Sequence, residues 1–199
     1  MKKNLFFLII FLTCISVYGQ TTQTAVQPNV TTNATPGKIQ WMSLEQAYNA
    51  IKTEPRKILI DVYTGWCGWC KVMDKNTFTD PKVVEYVNKK YYAVKLDAEQ
   101  KEDIILGEKK YSYVQQGAGG YHEAAAGLLG GKMSYPTIVY LDEKFNMIQP
   151  VAGYQDAKQF HQIVTFFGDN FYRNTDWNKF QAETYAKQYG GENSVPAKQ

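Results

Sequence analysis

The run TGWCGWCKVM, Thr64 to Met73, holds two cysteines with two residues between them and a tryptophan before each. Attachment of a c-type haem needs a histidine directly after the second cysteine, and Lys71 stands there. Structural zinc needs four ligands, and only His122 and His161, far apart in the chain, could join two thiolates. A static disulfide across so short a loop hardly constrains the unfolded chain. What remains is a dithiol that cycles between reduced and oxidised forms.

That chemistry needs particular elements around it. KILIDVY, Lys57 to Tyr63, is short, apolar and β-branched, as a buried strand would be. From Cys70 the chain carries Met73 and Asp74 into a predicted helix. Cys67 then lies at a helix N-terminus, where unpaired amides and the helix dipole favour a thiolate. It can attack a partner disulfide, and Cys70, about one turn on and more buried, can resolve the mixed disulfide.

The remaining elements follow from periodicity. Ser43 and Gln46 form a capping-box pair before Leu44, Ala47, Tyr48 and Ile51, which repeat at helical spacing. Asp80-Pro81 opens another helix, with Val83, Val84 and Val87 on its inner face. Tyr91 to Leu96 is a second strand and Pro136 to Leu141 a third. Asp142 to Asn146 turns the third strand into a fourth, Met147 to Val151. Asp156 to Phe167 and Trp177 to Tyr189 are helices. Early strands joined by helical crossovers should be parallel, and the late hairpin antiparallel.

The first residues, MKKNLFFLIIFLTCISVYGQ, have a basic start, an apolar run too short for a comfortable membrane span, and small residues Val17 and Gly19 near the end. They read as a signal peptide over residues 1–19. The chain is then exported, to a periplasm or the extracellular space, with no stable membrane insertion after cleavage. Phe11-Leu12-Thr13 fits lipid attachment at Cys14 poorly. Cys14 leaves with the leader, so both remaining cysteines lie in the opening motif. Net charge is only +3, and Lys2 and Lys3 sit in the leader, which gives no electrostatic case for nucleic acid. Residues 20–38 are polar and read as a flexible leader with two short sequons, at Asn29 and Asn33.

The segment ILIDVYTGWCGWCK resembles the active-site segment of the thioredoxin superfamily. AVKLDAE resembles that family's next strand, SYPT its cis-proline segment and VAGY the glycine after its final hairpin. The resemblance covers Ile39 to Phe167. It implies an α/β, thioredoxin-like fold: a central mixed sheet of about four to five strands flanked by helices. To this the sequence adds a helical insert before the cis-proline strand, a short alanine-leucine helix, Glu123 to Leu129, bracketed by glycines. The implied domain runs over 39–170, with the insert at about 101–132 and a C-terminal helix and polar tail over 171–199.

By that resemblance, Asp61 is the buried carboxylate that takes the proton of Cys70, through water. Lys95 is its partner. Pro136 is the cis-proline, and the backbone of Tyr135 beside it pairs with an extended substrate. Trp66 and Trp69 form an apolar collar, or are packed aromatics. CKVMDKNTFTDPKVVEYVNKKYYAVKLDAE is closest to the exported thiol:disulfide interchange branch, whose members pass electrons to other exported thiol proteins. The implied activity is that of a protein-disulfide oxidoreductase without bound cofactor or metal. Its partners are protein or peptide thiols and disulfides, with an upstream electron donor of unknown identity. Reduction is favoured over oxidation, and isomerisation comes third. A redox-inert binding module on the same fold is the rival from another class.

Two departures stand out. Trp69 replaces the proline that thioredoxin has before its second cysteine, so Gly68-Trp69 leaves the potential open between about −270 and −120 mV. The segment between Lys95 and Pro136 is longer than a minimal fold needs. Tyr113 to Lys132 reads either as a lid over the partner groove or as an elaboration packed on the side of the sheet. His122 in that loop is expected to be exposed.

Overall fold

The structure, a computed structural model, describes residues 37–189. The leader, Cys14, the sequons and the last ten residues lie outside the described residues. Strand β2 (Lys57–Tyr63) is buried at every position but the last. It forms the middle of a five-stranded sheet in the order β1-β3-β2-β8-β9. β3 (Tyr91–Asp97) runs parallel to β2, and β1 (Trp41–Met42) parallel to β3. β8 (Thr137–Leu141) and β9 (Met147–Ala152) add an antiparallel hairpin. The parallel pair needs a crossover, which α2 (Gly68–Asn76) and α3 (Pro81–Lys90) supply. The hairpin needs only the turn in which Asp142 Oδ1 accepts from the amides of Lys144 and Asn146. β1 escaped the sequence pattern because two residues carry no period. β9 is an edge strand and contains Pro150.

The two-residue period of β2 divides its side chains between two cores. Ile58, Ile60 and Val62 join α1 (Leu44–Ala50) in one. Leu59 faces Met73 of α2, Val83 and Val87 of α3, and Phe160 and Val164 of α5 (Ala157–Gly168) in the other. Asp61 has the parity of Leu59 and therefore points towards α2. The expected caps are formed: Ser43 and Gln46 bond reciprocally, and Asp80 accepts from Lys82 and Val83 ahead of Pro81.

The insert contains the expected short helix, α4 (Glu123–Leu128), but it also holds two β-hairpins that were not expected. β4 (Ile104–Leu106) pairs with β5 (Lys109–Tyr111), and β6 (Tyr113–Gln116) with β7 (Gly119–His122). These strands are too short to show an apolar alternation. Ala124, Ala125 and Leu129 are buried in the core with Val62 and Leu96. The helix is packed on the sheet.

His122 corrects an expectation: it is fully buried, not exposed. Its ring caps α4. Nδ1 accepts from the Ala124 amide at 3.2 Å, which leaves the hydrogen on Nε2, 3.1 Å from the Glu102 carbonyl. Its own amide donates to the Ala98 carbonyl at 2.7 Å. The ring thus joins two parts of the insert, and the backbone amide of the same residue ties it to the chain just after β3. The C-terminal run also differs from the single helix expected. Trp177–Lys179 is α-helical, Phe180–Tyr185 winds as a π-helix, and Ala186–Tyr189 returns to α. The wider turn aligns residues five apart. Phe180 and Tyr185 are both buried, Phe180 against Phe166 and Tyr185 against His161.

Replacing His122 by alanine is expected to lower stability by about 1–2 kcal/mol, since a cap is lost and two polar groups lose their partner. Urea unfolding measures this, and amide exchange should quicken over residues 102–129. His122→Asn should recover part of the loss; if alanine and asparagine behave alike, the ring is not a cap.

Candidate active site

The β2 strand ends at Tyr63 and the chain turns straight into α2, whose N-cap residue is Cys67. Cys67 Sγ accepts from the Cys70 amide at 3.1 Å, the contact expected of a capping atom. The two sulfurs are bonded to each other, with Cα atoms 5.3 Å apart. Cys67 is 5 % exposed and Cys70 3 %. Trp66 and Trp69, which bracket them, are 67 % and 61 % exposed. Apolar rings of that size seldom stay in water without a use.

Each tryptophan meets a tyrosine from another loop. Trp66 lies edge-on to Tyr135, with ring centroids 5.9 Å apart. Trp69 lies 5.2 Å from Tyr154. Tyr135 precedes Pro136 through a cis peptide bond. Thr137, next along, pairs with Val62 at the end of β2, so the proline segment lies beside the turn into α2. Among the described residues, the Tyr135 backbone makes no hydrogen bond within the chain. Tyr154 follows Gly153, whose amide donates to the Pro136 carbonyl at 2.8 Å and whose φ of 95° demands glycine.

Beneath α2 lies a charged cluster. The β2–β3 register sets Lys95 directly opposite Asp61. Lys95 Nζ donates to Asp61 Oδ2 at 2.7 Å and also to Asp74 Oδ1 on α2. The ammonium stands 4.8 Å from the ring centroid of Tyr63, 5.2 Å from Trp41 and 5.3 Å from Phe78. Aromatic faces and carboxylates hold it together. Burial pulls the Lys95 ammonium down, but Asp61 and Asp74 outweigh this, and it ends above the ordinary lysine value.

Asp61 is buried, and its Oδ1 has no hydrogen-bond partner among the described residues. Burial pushes the carboxyl up, the Lys95 charge pulls it back, and Asp74 pushes it up again; it settles at about 6. A carboxyl poised there is ionised at neutral pH yet basic enough to take a proton. Among the described residues, no group of three His, Cys, Asp or Glu side chains is placed to hold a metal.

Cys67, Cys70, Trp66, Trp69, Tyr135 and Pro136 thus lie around the turn into α2, and Asp61 and Lys95 pair beneath that helix, whereas His122 caps α4 and His161 bonds Tyr185. Sequence reading missed three contributors. Asp74 is one helical turn beyond Cys70, a spacing that could have flagged it. Tyr154 and Glu99, which accepts from Trp66 Nε1 at 3.0 Å, carry no such signal.

With this geometry in view, relatives can be compared. The family model Thioredox_DsbH, described as a protein of unknown function, DUF255, matches residues 28–188. The chain belongs to this family. The thiol:disulfide interchange protein DsbD of Haemophilus influenzae is 28 % identical over 144 residues, which is 70 % of this chain and 21 % of that protein. DsbD of Haemophilus ducreyi is 38 % identical over 64 residues, 32 % of this chain and 11 % of that protein. The chain thus matches about a tenth to a fifth of the length of these curated relatives. A thioredoxin-fold protein from Helicobacter pylori superposes with a TM-score of 0.52 at 17 % identity, covering 75 % of this chain and 99 % of that one. The fold of the family member described here is that of the thioredoxin superfamily.

The elevated Asp61 pKa has a cost in stability. The unfolded chain holds this proton up to about pH 4 and the folded chain up to about pH 6, so folding loses stability as pH rises across that window. Above it the buried charge persists. Asp61→Asn should therefore stabilise the protein at pH 7 by about 2 kcal/mol, with Lys95 keeping Asp74. Urea titrations at pH 4 and pH 7 check this: the gain should shrink at the lower pH. Equal gains at both would remove the charge from the account.

Proposed function

We propose that this chain exchanges thiols and disulfides with exported proteins through Cys67 and Cys70, and that it works chiefly as a reductant. The observation that carries the reading is the bonded sulfur pair at the N-terminus of α2 above a buried carboxyl poised at about 6. In the reduced form, the helix N-terminus favours the Cys67 thiolate. Cys67 Sγ attacks one sulfur of a partner disulfide. A bond forms from Cys67 to that sulfur, the partner's S–S bond breaks, and the other partner sulfur leaves as a thiolate. Cys70 then gives its proton to Asp61 through water, and its thiolate attacks Cys67 Sγ. The intramolecular disulfide re-forms and the second partner sulfur leaves. The partner gains two electrons and this chain loses them, to be reduced again by an upstream dithiol.

Several features support this reading. Two relatives are named as thiol:disulfide interchange proteins. Asp61 and Lys95 are paired as the chemistry would use them. The unpaired Tyr135 backbone offers an extended partner a strand to lie against. The apolar start of the chain supports export. Resemblance to the interchange branch favours reduction over oxidation. Among the described residues, no helix is long and apolar enough to cross a membrane.

Two measurements test the proposal. The protein without its leader should speed insulin reduction by dithiothreitol, Cys67→Ser should abolish this, and Cys70→Ser should accumulate mixed disulfides. No acceleration by the parent protein would favour a redox-inert module. Equilibration against glutathione should give a potential towards the thioredoxin end, near about −270 mV; a value near about −120 mV would reverse the direction.

A further inference from the structure

The Trp66 indole is the largest exposed apolar surface beside the sulfurs, and it is not held by packing alone. Its Nε1–H donates to Glu99 Oε1 at 3.0 Å. The ring is thus fixed with a carboxylate at its edge and Tyr135 against it. The Glu99 amide donates to Asp97 Oδ1 at 2.9 Å, which anchors the loop after β3. Trp66 uses one carboxylate oxygen and leaves the other.

Among the described residues, no lysine or arginine lies within ion-pair reach of Glu99. Lysines near it in sequence have other work. Lys95 is held by Asp61 and Asp74, and Lys101 lies over the Tyr113 ring at 3.0 Å. Burial first, then the charges of Glu99 and Asp97, push the Tyr135 phenol up, so the negative field reaches the proline loop.

An exposed indole face with a carboxylate at its edge matches one side chain closely. A guanidinium is planar, stacks on aromatic rings and offers several donors to a carboxylate at once. An ammonium can use the charge but not the plane. We propose that Trp66 and Glu99 read an arginine in the partner segment, next to the cysteine being exchanged. This rests on the exchange reading above and names its substrate class: disulfides flanked by arginine. In an extended segment lying along Tyr135, side chains two residues apart share a face at about 6.6 Å. The arginine therefore belongs two residues from the partner cysteine. Trp66 directly precedes Cys67, which brings the two contacts to neighbouring positions.

The test uses two cyclic peptides with one disulfide each, identical except for arginine or glutamine two residues from a cysteine. The reduced protein should reduce the arginine peptide about fivefold faster, as kcat/KM, at low salt. The preference should shrink towards unity at about 1 M salt, where the ion pair is screened. Glu99→Gln should remove it, and Glu99→Lys should turn preference towards a glutamate peptide. If the parent protein reduces both peptides equally, or if Glu99→Gln keeps the preference, the arginine reader is wrong and the exchange reading stands. If neither peptide is reduced, both fall.

Discussion

The buried Asp61 carboxylate can hold a charge only because Lys95 meets it across the β2–β3 ladder. An isolated carboxylate in that position would stay protonated, and a protonated acid cannot accept from a thiol. The pairing in turn requires β2 and β3 to be parallel and in that register, which requires the crossover through α2 and α3. The same crossover carries Cys67 and Cys70. Sulfur chemistry and charge balance are therefore set by one piece of topology. Asp74, from the helix that bears the cysteines, shares the lysine and keeps Asp61 from being fully satisfied.

Much of this was legible in the sequence, for definable reasons. β2 shows as a run of apolar, β-branched residues because it is buried on both faces. Ser43, Asp80 and Pro81 announce helix starts because caps are local. The resemblance to thioredoxins placed Asp61, Lys95, Tyr135 and Pro136 around the CxxC pair. Other parts were silent. Strands of two to four residues have no periodicity to read. The burial of His122 depends on carbonyls from Ala98 and Glu102, which no local pattern reveals. Trp69 with Tyr154, and Trp66 with Glu99, join residues far apart in the chain, so only the folded sheet brings them together.

The insert illustrates how an addition can be absorbed. Its hairpins are short, and isolated two-stranded hairpins are marginally stable at best. The alanine face of α4 and Leu129 give it a share of an existing core, and the His122 ring fixes its entry. Through α4 and Leu129 it forms part of the sheet's cover. The surface around the sulfurs is left to the tryptophans and to the two loops that end in Tyr135 and Tyr154.

Pro150 lies in the outermost strand on one side of the sheet, and the other side ends in a strand of only two residues. A proline has no amide hydrogen to give to a newcomer, and two residues offer little to grip. Both rims are thus poor templates for another chain's backbone. The sheet thus resists strand addition at its borders, while beside the sulfurs the Tyr135 backbone makes no hydrogen bond within the chain among the described residues.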